Sequence, residues 1–247
     1  MITAIKPYNT NYYGYNKISF GAALPKENII SEIFAGKTSM SANECLGYLS
    51  KLYLQNQFIN FAQLQKLGIP NLQLVYNRGV RGATLSSPQN TKFMPAVRKC
   101  GIDTIIDLRT SDYTRTYKEK CDKFGFEYFH LPIDKKNTPD REILDKLPTF
   151  LRLMERGKFY IACAMGKHRT DIALAINYAF NPRQKEPPFM SGHTRNYVTD
   201  MEDINRRLNS LYKALTPEDK VKLGWTEEYE KEFLHKKKVL KSFSEMK

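Results

Sequence analysis

Residues 159–171 read FYIACAMGKHRTD, and the rest of the chain arranges itself around them. Strand-forming Phe159, Tyr160 and Ile161 lead to Cys163. Residues 164–168 are Ala, Met, Gly, Lys and His, and Arg169 opens the apolar run RTDIALAINYAF, residues 169–180, which reads as a helix. A buried strand has no use for an arginine just beyond its end. A metal site would want a second cysteine or histidine at a fixed offset. The spacing from Cys163 to Arg169 suits a tight loop that closes around an anion.

Working back from this stretch, the pattern alternates. Residues 71–83, NLQLVYNRGVRGA, read as one strand followed by a glycine turn. FMPAVRKCG predicts a short helix closed by Gly101, and DTIIDLR a strand of the kind buried in a parallel sheet. TRTYKEKCDKFG predicts a helix stopped by Gly125, FEYFHLPI a strand, and REILDKLPTFLRLMERG a long helix after the polar loop DKKNTPD. Four alternations of strand and helix in about 110 residues predict an α/β fold, a mainly parallel central sheet flanked by helices. Ligands in such sheets bind beyond the carboxyl ends of the strands, where Cys163 lies.

Further helices are expected outside this core: residues 27–37 and 43–68 on one side, 199–215 and 216–240 on the other. The last is read as one helix with Thr216 as N-cap, Pro217 at its first position and the basic HKKK near its end facing the helix dipole. The expected organisation is a loosely ordered lead-in (1–24), a helical N-terminal extension (25–69), a core (70–182) and a basic helical C-terminal extension packed on it (183–247).

Lys and Arg number 39 against 26 Asp and Glu, a formal charge of +13. That surplus favours phosphorylated partners, anionic membrane surfaces or nucleic acid without choosing among them, and no RNA-binding motif or aromatic-basic interleaving supports the last. No apolar run is long enough to span a bilayer, and the first residues lack the basic start and apolar stretch of a standard secretory signal. Cys45, Cys100, Cys121 and Cys163 show no paired spacing, so free thiols in a reducing, cytoplasmic setting are expected, with a non-standard export signal as the alternative. No ligand cluster predicts a metal or other cofactor.

The loop itself predicts chemistry. A strand-loop-helix turning through so few residues aims successive backbone N–H groups into one concavity, and the helix N-terminus adds positive potential there. Gly166 allows a backbone angle other residues resist. Arg169 can grip two phosphate oxygens through its planar fork. These dipoles favour a thiolate at Cys163, a nucleophile beneath a bound phosphoryl group.

The run Cys163-Ala-Met-Gly-Lys-His-Arg-Thr170 resembles the Cys-x-x-Gly-Lys-His-Arg-Thr signature of atypical dual-specificity phosphatases in the protein tyrosine phosphatase superfamily, and GIDTIIDLR followed by GFEYFHLPID looks like the path of those enzymes toward their general-acid loop. The resemblance spans about residues 72–182. It implies Cys163 as nucleophile and Arg169 as phosphate clamp. It also implies loop amides from Ala164, Met165, Gly166, Lys167 and His168, and a Thr170 hydroxyl assisting hydrolysis of a phosphocysteine. It places the acid at Asp134. Asp140 in the same loop is the second candidate, or a cap for the next helix, and the third alternative is that no acid is present at all.

Two positions depart from the signature. Ala162 stands where the resembling enzymes carry His, which removes an orienting hydrogen bond. Asp171 stands where they carry Gly; an acid in the first turn suits the helix dipole, yet a carboxylate near a phosphate site opposes substrate. Asp107 and Arg109 read as structural or as supporting the residues that touch substrate, His130 as packed nearby without a role, and Arg78 as either a neighbour of the phosphate or a surface residue at a turn.

The expected activity is a metal-independent cysteine phosphatase for a phosphorylated small molecule or phosphoprotein. Lys167 and His168 beside Arg169 point to inositol phosphates or phosphoinositides ahead of phosphotyrosine or phosphoserine; the alternative is that Lys167 points to solvent and His168 only braces the loop. A catalytically weak phosphate-binding relative and an RNA 5′-triphosphatase-like enzyme are the alternatives.

Overall fold

The computed structural model describes residues 41, 43–44, 59–110, 114–134, 138–188 and 197–242. Of the N-terminal unit Met1–Lys51 only Ser41, Asn43 and Glu44 are described, and there the side chains of Ser41 and Glu44 cap each other's backbone N–H. The helix expected over 27–37 and most of that over 43–68 lie outside the described residues, as does Cys45. The sheet and its helices belong to the unit Leu52–Lys247.

Five strands, β1 (Gln73–Val75), β2 (Gly79–Ala83), β3 (Thr104–Asp107), β4 (Glu127–His130) and β5 (Phe159–Cys163), form one sheet in the order β1-β2-β5-β3-β4. The pairs β2–β5, β5–β3 and β3–β4 are parallel, as expected of an α/β fold. The edge pair β1–β2 is antiparallel. Residues 71–83 are thus a hairpin rather than a single strand and turn. Tyr76 and Asn77, both at positive φ (51° and 55°), make the bend. The two glycines that read as turn signals lie inside β2. A Cβ at Gly79 would stand 2.4 Å from the Phe159 ring, and one at Gly82 would stand 2.3 Å from the Tyr160 hydroxyl. Their absence of side chain is a packing requirement of the neighbouring strand.

The helices are α1 (Phe61–Gln65), α2 (Pro88–Thr91), α3 (Met94–Lys99), α4 (Thr114–Lys123), α5 (Asp140–Arg156), α6 (His168–Phe180), α7 (Tyr197–Ala214), α8 (Pro217–Lys222) and α9 (Glu227–Ser242). Gly101 and Gly125 follow α3 and α4 at positive φ, as their stop positions predicted. Residues 216–240 are two helices, not one: the chain leaves α8 through Gly224 at φ 67° before α9 begins.

Side chains of β5 alternate between two cores. Phe159, Ile161 and Cys163 join the cluster beneath α5, α6, α7 and α9. Tyr160 and Ala162 join the one beneath α1, α3 and α4. A strand apolar on both faces is what a sheet covered on both sides requires. Helix α6 is buried from Thr170 to Phe180. It can be so only because α7 contributes Met201, Ile204, Leu208 and Leu211 to the same cluster, and α9 contributes Phe233 and Leu240. Within HKKK, Lys236 is buried, donating to the Asn181 carbonyl (2.8 Å) between the rings of Tyr178 and Tyr229. That lysine fastens α9 to the end of α6 rather than facing a dipole in solvent.

Candidate active site

Cys163 is the last residue of β5, and α6 starts at His168, so residues 164–167 form the whole connection. Each carbonyl of that connection is taken by a donor from outside it. The Thr84 N–H donates to the Ala164 carbonyl (3.3 Å), and the Asn71 side-chain amide to that of Met165 (2.8 Å). Arg81 donates through Nε (3.1 Å) and Nη2 (2.8 Å) to the Gly166 carbonyl, and through Nη2 to that of Lys167 (2.9 Å). With the carbonyls taken in this way, the N–H groups of Met165, Lys167 and Thr170 turn to the Cys163 sulfur, and successive N–H groups facing one point are what an anion nest requires. Gly166 has φ 66°, and a Cβ there would lie 2.2 Å from the backbone of Gly82, so both conformation and space exclude a side chain.

Burial of Cys163 opposes its ionised form. The Thr170 hydroxyl and the backbone N–H groups of Lys167, Met165 and Thr170 outweigh that cost and hold its thiol below the ordinary value. The Thr170 hydroxyl is buried and makes no hydrogen bond to nitrogen or oxygen among the described residues; it acts on the sulfur as a dipole. The other described cysteines go the opposite way. Burial pushes Cys121 up to about 12, with the Asp107 carboxylate adding to the shift, and burial raises Cys100 as well. All three are free thiols.

Asp171, flagged as a carboxylate that would oppose substrate, is turned away into the protein. It is buried and paired with Arg81, whose Nη1 lies 2.6 Å from Oδ1 and whose side chain is 1% exposed. The departure from glycine at this position therefore comes with its own counter-charge. One guanidinium neutralises Asp171 and shapes the loop.

Arg169 and Lys167 are partly exposed, and neither has a carboxylate partner among the described residues. His168, grouped with them as a cation of the site, instead lies against α7, its Nε2 3.5 Å from the Asp203 carboxylate. Met165 is 54% exposed beside them.

Asp107 and Arg109 are held against each other at the end of β3. Arg109 grips the Asp107 carboxylate with Nε (2.9 Å) and Nη2 (2.8 Å), Tyr128 donates to it as well (2.9 Å), and the Arg109 guanidinium lies over the Tyr117 ring. His130 meets the Arg109 carbonyl at 2.7 Å. Arg78 precedes β2, at the end of the sheet opposite Cys163, and its carbonyl accepts from the Lys158 N–H. It is no neighbour of the loop.

The two candidate acids differ in their commitments. Asp140 is the first residue of α5 rather than its cap, and both its carboxylate oxygens are engaged: Arg207 Nη1 donates to one (2.9 Å) and the Ser210 hydroxyl to the other. Asp134 is held through its backbone. Its N–H donates to the Thr138 hydroxyl (2.8 Å), and its carbonyl accepts from Arg207 Nη2 (2.6 Å).

Asn71, Arg81 and Arg207 escaped the reading of the sequence. Arg81 left a signal, a charged residue in the middle of the otherwise small and apolar GVRGA strand, all five residues of which are buried. Arg207 left none, because α7 is rich in polar residues throughout.

No family model and no curated protein matches this sequence. Solved structures similar to it include Tk-PTP in its active form, at 18% identity and TM-score 0.41 over 59% of this chain and 99% of that one. The core catalytic domain of the PP-IP phosphatase SIW14 from S. cerevisiae is similar at 14% identity and TM-score 0.36, over 69% and 93%. TpbA of P. aeruginosa, solved in complex with pTyr, is similar at 15% identity and TM-score 0.33, over 52% and 67%. These are likenesses at low identity, and none of them assigns a role to a residue here.

Proposed function

We propose that the chain is a cysteine phosphatase that hydrolyses phosphomonoesters through a phosphocysteine. The Cys163 thiolate attacks phosphorus in line; an S–P bond forms, the P–O bond breaks, and the leaving oxygen takes a proton from Asp134. Water then attacks phosphorus and gives its proton back to the Asp134 carboxylate, the S–P bond breaks with assistance from the Thr170 hydroxyl, and orthophosphate and the thiolate are released. Arg169 and the amides of residues 164–168 hold the phosphoryl oxygens throughout. The observation that carries this reading is the contrast among the buried thiols: burial raises Cys100 and Cys121, whereas the inward N–H groups and Thr170 bring Cys163 down. A loop that merely bound phosphate would have no use for a thiol whose ionised form is favoured at its floor.

The reading of a weak or inactive phosphate binder leaned on Ala162 and Asp171. The Arg81 ion pair removes the second of these grounds. The favoured substrate class is a small molecule with several phosphates, an inositol phosphate or phosphoinositide, ahead of a phosphotyrosine peptide. Its support is narrower than the loop sequence implied, because His168 is turned to Asp203, which leaves Lys167 as the second cation beside Arg169.

Replacing Cys163 with serine is expected to abolish turnover of an aryl phosphate while orthophosphate still binds, and chelator is expected to leave the wild-type rate unchanged. Turnover by Cys163→Ser overturns the proposal. Lys167→Met is expected to lower kcat/KM for an inositol polyphosphate more than for a small aryl phosphate. Equal losses remove the substrate assignment and leave the chemistry standing.

A further inference from the structure

Helix α7 belongs to the C-terminal extension, yet one stripe of it faces both loops of the proposed site. Asp203, Arg207 and Ser210 are spaced by four and three residues, so they share a face. The buried stripe Met201, Ile204, Leu208 and Leu211 lies beside it and anchors the helix in the core. Asp203 meets His168 at the start of α6. Arg207 reaches the other loop at three points: the carbonyl of Asp134 (2.6 Å), the carbonyl of Thr138 (2.9 Å) and the carboxylate of Asp140 (2.9 Å). Ser210 adds a bond to the same carboxylate. The Arg207 side chain is 10% exposed, so these bonds are largely shielded from water.

We propose that Arg207 is a positioning residue for general-acid catalysis: it fixes the backbone of Asp134 from the C-terminal helix and thereby sets where the acid stands over the nucleophile. This rests on the phosphatase reading above. Backbone carbonyls on either side of residues 135–137 converge on one guanidinium, whose fork spans two acceptors in a fixed plane. Lysine has no such plane. The other acceptor, Asp140, is itself fixed as the first residue of α5, so the clasp ties the acid to a long and well-packed helix. A displacement of the acid by about 1 Å is enough to cost on the order of a hundredfold in rate. Phosphate binding, which belongs to residues 163–170, has no part in the clasp.

The test compares Arg207→Met, Arg207→Lys and Asp134→Asn on aryl phosphates of graded leaving-group pKa, using kcat/KM, which reports phosphocysteine formation. Arg207→Met is expected to lose about 10- to 100-fold on phenyl phosphate but less than about threefold on dinitrophenyl phosphate, whose leaving group departs without a proton. Asp134→Asn should show the same dependence, Arg207→Lys should recover only part, and the competitive inhibition constant of orthophosphate should not move. Equal loss by Arg207→Met on both substrates marks a merely structural role and overturns the proposal, as does unchanged activity on phenyl phosphate. If Asp134→Asn shows the leaving-group dependence and Arg207→Met does not, the clasp fails while the phosphatase reading stands. If Asp134→Asn shows none, or Cys163→Ser still turns over, the underlying assignment falls and the clasp falls with it.

Discussion

The side chain that most changes the picture of the loop is Arg81. A buried guanidinium and carboxylate each carry a desolvation cost of several kcal/mol, repaid only while they face each other with their remaining hydrogen-bonding positions filled. Arg81 fills its own with the Gly166 and Lys167 carbonyls. Removing it strands Asp171 and releases those carbonyls together. Arg81→Met is therefore expected to destabilise by about 3–5 kcal/mol in urea unfolding. Adding Asp171→Asn should return part of that loss; a double variant no more stable than the single would refute the pairing. Thr170 offers a separate measurement at the sulfur. Its hydroxyl lowers the Cys163 thiol, so Thr170→Val should raise it, and only the thiolate alkylates. The pH profile of inactivation by iodoacetamide should therefore shift to higher pH in Thr170→Val, and an unmoved profile would show that the backbone amides suffice.

Among the elements, the N-terminus of α5 is held twice. Arg207 and Ser210 of α7 take Asp140, and the neighbouring Arg141 forms a two-pronged pair with Asp219 of α8 (2.7 Å each). Asp219 also completes the capping box with Thr216. The Arg141 guanidinium, with Thr216 assisting, holds the Asp219 carboxyl well below the carboxylate range, against the cost of burial. A carboxyl depressed in the folded state contributes stability that is fully present above its unfolded value, about pH 4, and is lost as pH falls toward the folded value. Arg141→Met should lower the urea midpoint at pH 7, and its difference from wild type should shrink on moving well below pH 4. A difference independent of pH would mean the pair acts by packing alone.

At the scale of the whole unit Leu52–Lys247, the C-terminal helices share one core with the sheet and α6, across the boundary that the sequence suggests after residue 182. A chain ending at residue 182 would uncover the face of α6 that Leu208, Leu211, Phe233 and Leu240 bury. Full burial of one such side chain is worth about 1.5–3 kcal/mol, so four approach the whole stability of an ordinary domain, about 5–15 kcal/mol. We expect that truncation to be insoluble or to unfold without cooperativity, as read by calorimetry. A folded, active product would show that α7–α9 are dispensable and would also weigh against the Arg207 clasp.

The sequence by itself determined the α/β alternation, the position of Cys163 at a strand end, the glycine that the loop needs and the helix behind it, because each depends on neighbours within a few residues. The two glycines of β2 show where local reading stops. Glycine near a polar turn signals a bend, and only the ring of Phe159 and the hydroxyl of Tyr160, some eighty residues on, turn that signal into one of packing. Asp171 is the same case in electrostatics: a carboxylate after the loop has one meaning facing the phosphate and the opposite meaning facing Arg81. His168 and Asp140 likewise read as candidates for chemistry until α7 supplied Asp203, Arg207 and Ser210. Charge and hydrogen bonding are settled by what stands within about 3–4 Å, and for these residues that neighbour comes from distant chain. The tertiary structure therefore decided which polar groups are committed to holding the loops around Cys163 and Asp134, because their partners lie far along the chain.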